Sequence, residues 1–134
     1  MTDAILSTQL MVHVDNKVGT VAEVSSTISS SGINLIAVCA YAVDNNGFIM
    51  FVTEDNKRAK RLLEERNFDV REEEVVLLNI DNKPGALHAV TQRIADSGID
   101  LTLIYGSVER KGKKSQIILI SEDNNAVLTA IKTM

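Results

Sequence analysis

DNKVGTVAEVSSTISSSGINL, residues 15–35, returns sixty-six positions later as DNKPGALHAVTQRIADSGIDL, residues 81–101. Ten of the twenty-one aligned positions are identical, at Asp15/Asp81, Asn16/Asn82, Lys17/Lys83, Gly19/Gly85, Val24/Val90, Ile28/Ile94, Ser31/Ser97, Gly32/Gly98, Ile33/Ile99 and Leu35/Leu101. Unrelated segments of this length would share about one or two. The chain is therefore a duplication, and its period is too long for a solenoid unit. Each copy is read as a small domain, so the activity is expected twice or at the seam between copies.

Working outward, Leu10, Val12 and Val14 alternate with Met11 and His13, which predicts a strand with one side inward; Val76, Leu78 and Ile80 repeat it against Leu77 and Asn79. After each DNK turn the period lengthens to three or four. Val18, Val21, Ser25, Ile28 and Gly32, with Leu87, Val90, Thr91 and Ile94 in the second copy, predict amphipathic helices over 18–31 and 84–97. Pro84 suits a first helical turn, and Gly32 and Gly98 suit left-handed caps at the far ends. Two strands follow in each copy, 33–43 and 48–53 around the turn Asp44–Gly47, then 99–109 and 115–121 around a hairpin tip two residues longer. A second helix is expected over 55–66, burying Ala59, Leu62 and Leu63, with Asp55 and Asp123 as N-caps. Residues 68–71 then predict a short closing strand.

This β-α-β-β-α-β order predicts an α+β protein of two ferredoxin-like repeats, residues 8–74 and 75–134, each an antiparallel sheet with its helices on one face. Arg66 aligns with Met134, so the second repeat lacks its last strand. That open sheet edge needs cover. Candidates are the stretch 4–8 or a segment of a second chain, and because 68–80 runs between repeats without a linker, strand exchange is an option. The side of each sheet away from the helices should be polar if it meets water. Instead Leu35–Ala40, Phe48–Val52 and Ile117–Ile120 contain no charge. We expect the sheets to pair, repeat against repeat or in a homodimer.

The chain has 134 residues, 45% of them hydrophobic and 24% charged, with a net charge of −4, values of an ordinary globular protein. The acidic balance argues against nucleic acid. So does the lack of aromatics in 115–121, since the RNA-binding modules that share this element order stack bases there. The basic residues Lys57, Arg58, Lys60 and Arg61 read as a solvated helix face, and 110–114 as a hairpin tip. One cysteine, Cys39, excludes an internal disulfide and reads as a buried thiol. His13 and His88 do not align, and no metal cluster, cofactor site, nucleophile or paired acid and base is visible, so no catalytic residue is assigned. Glu72, Glu73 and Glu74 read as a solvated junction. No signal peptide or membrane span is read, and the cytoplasm is the expected location.

DNKPGAL at 81–87 with GIDL at 98–101, doubled by DNKVGTV and GINL, resembles the ACT domain family of amino-acid-sensing regulatory modules. The resemblance covers nearly the whole chain as a tandem pair. It implies a ligand held where two ACT units meet, by the turn after the first strand of one and the start of the second strand of the other. The implied residues are Asp81, Asn82, Gly85, Ala86 and Leu87, with Asp15, Asn16, Gly19, Thr20 and Val21 in the first copy, and Asn34 and Asp100. A glycine turn opening a helix presents N–H groups and the positive dipole end to a carboxylate; Asp and Asn side chains would accept from an ammonium. Val18 replaces the family's usual proline, so the second loop is the first choice. The reading of the residues themselves leaves both loops open as plain turns and caps. The expected function is non-catalytic regulation by a bound amino acid, signalled through assembly or partner contacts. The alternative is a docking subunit of an enzyme or transporter with no ligand of its own.

Overall fold

Alternation at Leu10, Val12 and Val14 marks a strand that proves longer than the pattern. The computed structural model describes residues 2–107 and 113–134, and there β1 runs Asp3–Asp15. The other described elements are α1 (Thr20–Ser29), β2 (Leu35–Val43), β3 (Asn46–Thr53), α2 (Asn56–Glu65), β4 (Asp69–Asp81), α3 (Ala86–Asp96), β5 (Leu101–Ser107), β6 (Lys114–Ser121) and α4 (Asn124–Lys132). This is the expected α+β order, twice. The expected short strand at 68–71 is instead the beginning of β4, which continues through Val76, Leu78 and Ile80.

The first helix of each copy is shorter than expected. Gly19 and Gly85 have φ of 88° and 83°, and a right-handed helix cannot include such a residue, so α1 and α3 begin immediately after them. Pro84 consequently lies before the helix, not in its first turn. The inward faces differ too. Val24, Thr27 and Ile28 are buried in α1, and Val90 and Ile94 in α3. Val18, Val21 and Leu87 are exposed, Val18 because it lies outside the helix and the other two because they stand at its open first turn. Beyond the far ends, Gly32 and Gly98 share a φ of 73°, as left-handed caps require.

The structure divides into two compact units, Thr8–Glu73 and Glu74–Met134 with the residues up to Ser7. In the first, strands lie in the order β2-β3-β1-β4. β3 pairs antiparallel with β1, placing Val12 opposite Ile49 and His13 opposite Phe48, and with β2, placing Ala40 opposite Ile49. The hairpin turns through Asp44 and Asn45 alone, because Asn46 and Gly47 already pair with Asp15 and Val14. Leu10, Val12, Val24, Ile28, Ile49, Phe51, Ala59 and Leu63 fill its core under α1 and α2. Phe51, fully buried there, offers no ring to solvent.

In the second unit the order is β1-β4-β6-β5, with β6 antiparallel to both β4 and β5. Its core joins Val76, Leu78, Ile80, Val90, Ile94, Ile117, Leu119, Val127 and Ile131 with Ala4, which is 2% exposed. The N-terminal stretch of β1 thus takes the place of the last strand this repeat lacks. Among the described residues α4 is the last element. The hairpin tip expected at 110–114 falls largely on residues 108–112, outside the described residues.

An asparagine braces each unit. Asn56 Oδ1 accepts from Thr53 N (2.8 Å) and Thr53 Oγ1 (2.9 Å), while its Nδ2 donates to Thr8 O (2.9 Å) and Thr8 Oγ1 (3.1 Å). Asn124 does the same with Ser121 N (2.9 Å), Ser121 Oγ (3.3 Å), Glu74 O (3.1 Å) and Glu74 Oε1 (3.4 Å). Thr8 and Glu74 are the residues at which β1 and β4 pass from one unit to the other. On the side of the sheets away from the helices, Met50, Val52, Val75 and Ile118 are buried, whereas Tyr41 stays half exposed and stacks on Phe48 at 5.2 Å. Among the described residues, no helix is long and apolar enough to cross a membrane.

Candidate functional site

The two DNK loops are one backbone motif. In the first, Thr20 N donates to Lys17 O (3.4 Å) and Glu23 N to Gly19 O (3.0 Å); in the second, Ala86 N donates to Lys83 O (3.2 Å) and Ala89 N to Gly85 O (3.0 Å). Gly19 has φ 88°, ψ −5° and Gly85 has φ 83°, ψ −8°, so Val18 in place of Pro84 leaves the turn the same shape. A Cβ on either glycine would meet nothing within 4 Å. Backbone conformation, not closeness to a neighbour, is what demands glycine here.

The first N–H groups of a helix have no acceptor within it. In α2 and α4 a side chain supplies one: Asp55 Oδ1 accepts from Arg58 N (3.1 Å), and Asp123 Oδ1 from Ala126 N (3.0 Å). Glycine caps α1 and α3, where no side chain does so. Those two helix starts remain open to solvent or to an anion.

Beside the first loop the structure holds a cleft of about 230 Å³. Asp15, Asn16, Lys17 and Thr20 form its rim; Val14, Val21, Ala40, Ala42 and Ile49 line it with hydrocarbon, joined by Tyr41, Gly47 and Phe48. Asn16 is partly engaged, its N donating to Asn45 O (2.9 Å) and its Nδ2 to Asp44 O (3.3 Å), which ties the loop to the hairpin and shapes the rim. Of the residues expected in the first copy, Asp15, Asn16, Thr20 and Val21 come together here and Gly19 adjoins them. Asn34 does not line the cleft: it precedes β2, where its carbonyl accepts from Glu54 N (3.1 Å).

In the second copy Asp81, Asn82, Gly85, Ala86 and Leu87 stand on the loop, with Asn82 N donating to Lys113 O (2.8 Å), and Leu87 is 40% exposed. Asp100 precedes β5. The wall that would match Ala42 falls on residues 108–112, outside the described residues. Sequence reasoning missed the other lining residues, Lys17, Ala40, Ala42 and Ile49 with Val14, Tyr41, Gly47 and Phe48. The signal was there in two alanines on alternate strand positions, but only the pairing of Ala40 with Ile49 and of Ala42 with Gly47 assigns them to the helix side.

Neither histidine lines this cleft, although His13 packs on Phe48, which does, at 5.2 Å. His13 lies 2.9 Å from Asn46 Oδ1 through Nε2 and 3.8 Å from Asp69 Oδ2 through Nδ1, and His88 is exposed on α3. No group of His, Cys, Asp and Glu among the described residues could hold a metal ion.

A family model described as the ACT domain pair matches residues 5–131. The chain belongs to that family. This ACT domain pair is similar in fold to protein BT0572 from Bacteroides thetaiotaomicron, with a TM-score of 0.89 at 23% identity over 97% of this chain and 89% of that one. It is also similar to the regulatory subunit of aspartate kinase from Thermus thermophilus in its ligand-free form (TM-score 0.67, 16% identity, 97% and 95% covered). The corresponding subunit from Thermus flavus gives a TM-score of 0.65 at 16% identity, with 98% and 95% covered. These likenesses establish a shared fold. A search of curated proteins found no match.

Proposed function

We propose that this ACT domain pair is a non-catalytic, cytoplasmic regulatory protein that binds a free amino acid at its glycine loop and signals through assembly or partner contacts. The observation that carries the reading is the cleft of about 230 Å³ beside a helix start that no side chain caps. Usual pockets for drug-sized ligands run to roughly 300–1,000 Å³, so this one suits a small metabolite. Its rim offers both charges of a zwitterion, Asp15 and Lys17. The first loop is therefore the primary site and the second, with Asp81, Asn82, Gly85, Ala86 and Leu87, its counterpart. The start of the second strand in a second copy, where Asn34 and Asp100 stand, would complete each site in a homodimer. A regulated enzyme or transporter of amino-acid metabolism is the partner class, in keeping with a fold shared with regulatory subunits of aspartate kinase.

Thermal-shift measurements against the twenty amino acids test this. A ligand at a hundredfold excess over its dissociation constant adds about 2.7 kcal/mol to stability, a rise of several degrees in midpoint. No shift with any amino acid at millimolar concentration sinks the reading. One observation favours the docking subunit instead: Asn16 already spends its N and Nδ2 on the hairpin, so the loop has a structural use without a ligand.

A further inference from the structure

The cleft beside the first loop divides into a charged mouth and an uncharged floor, and that division selects among amino acids. At the mouth, Lys17 Nζ and Asp15 Oδ2 stand 4.0 Å apart with side chains 75% and 79% exposed, so both can engage a ligand. Val14, Val21, Ala40, Ala42 and Ile49 behind them carry no polar side-chain atom. The small residues are what keep this floor open. At the second repeat Gly106 takes the place of Ala40, and Ile117 Cδ1 lies within 2.5 Å of where a Cβ on Gly106 would stand. There the isoleucine folds over the strand; at the first repeat Ala40 forbids that position to Ile49.

We infer that the first loop takes an amino acid with a short aliphatic side chain, of the size of valine or leucine. Its ammonium faces Asp15, its carboxylate faces Lys17 and the open first turn of α1, and its side chain covers Ala40 and Ala42. The inference rests on the amino-acid reading above and narrows it. A charged side chain would exchange water for a lining that, behind the rim, offers no charged partner and no polar side-chain group but the Tyr41 hydroxyl. Each buried methylene strengthens binding by about fourfold, so valine, with two more carbons, should exceed alanine by roughly fifteenfold when both are fully buried.

Isothermal titration of the full chain with alanine, valine, leucine, aspartate, lysine and phenylalanine tests this. Valine or leucine should bind tightest. Ala42→Leu, at an exposed strand position, should fill the floor and weaken that ligand about tenfold or more while the unfolding midpoint without ligand is unchanged. Tightest binding by aspartate, lysine or phenylalanine overturns the aliphatic class and leaves amino-acid sensing standing. Unaltered valine affinity in Ala42→Leu, with the variant folded, also overturns it by placing the ligand elsewhere. Absence of binding by all six overturns this inference, and the thermal-shift panel then decides whether the wider reading falls with it.

Discussion

The four described helices begin in two ways. α2 and α4 begin at the last residue of TEDN and SEDN, in which the aspartate caps the helix and the asparagine ties it to a strand passing between the two units. α1 and α3 follow DNKVG and DNKPG, where a left-handed glycine turns the chain and leaves the first N–H groups uncapped by a side chain. One pair of starts is closed by the protein itself; the other is left for something else. The difference separates what maintains this fold from what is available for binding, and it recurs in both copies.

Breaking the closed starts should have the largest effect on stability. Asn124 is 9% exposed and engages Ser121 and Glu74 through both ends of its amide. Asn124→Leu would take the side-chain partner from Ser121 N and Glu74 O, and since Ser121 is only partly buried and Glu74 exposed, the cost falls toward the low end of about 1–3 kcal/mol for an unpaired buried group. A loss of about 2 kcal/mol in urea-induced unfolding is expected, with Asn56→Leu, at a partly buried position, costing no more. A loss below about 1 kcal/mol in both variants would mean the braces are ornamental.

The open starts should be sensitive in backbone rather than in packing. Gly85→Ala adds a methyl group to open space, yet an L-residue at φ 83° costs about 1–2 kcal/mol. Gly19→Ala should cost the same, because the two glycines share a conformation. Unequal losses would show that Pro84 and Val18 do make the loops different. Asparagine, which tolerates this region, should recover part of the loss at either position.

Much of this contrast was legible in the sequence. Both caps, Asp55 and Asp123, and the turn glycines follow from local rules that act over three or four residues. What stayed open or escaped was nonlocal. The stretch 4–8 is one of two candidates for the open edge of the second repeat, and Ala4 does lie in that core, but nothing in those residues decides between them, since an alternating segment fits any open sheet edge. Asn56 and Asn124 are visible as a repeated motif, while their partners Thr8 and Glu74 lie 48 and 50 residues away. The helix face was misassigned because Val18, Val21 and Leu87 keep the helical spacing without being covered. Of these Val21 shares the first-loop cleft with Ala40 and Ala42, and that grouping is the part of the candidate site that only strand register could assemble.

The smallest effect tests whether a cap is worth what the contrast assigns to it. Asp123 accepts from Ala126 N and Asp55 from Arg58 N, and both carboxylates also face the positive end of a helix dipole. Replacing an N-cap by alanine typically costs about 1 kcal/mol. Asp55→Ala and Asp123→Ala should each lower stability by about that amount, and the double variant by about twice as much, since the two caps share no partner. Gly19 and Gly85 provide no such side-chain acceptor, so their helices have no equivalent term to lose. If the aspartate variants cost nothing, water caps these helices as well as a carboxylate does, and an uncapped α1 would no longer distinguish a binding site from an ordinary helix end.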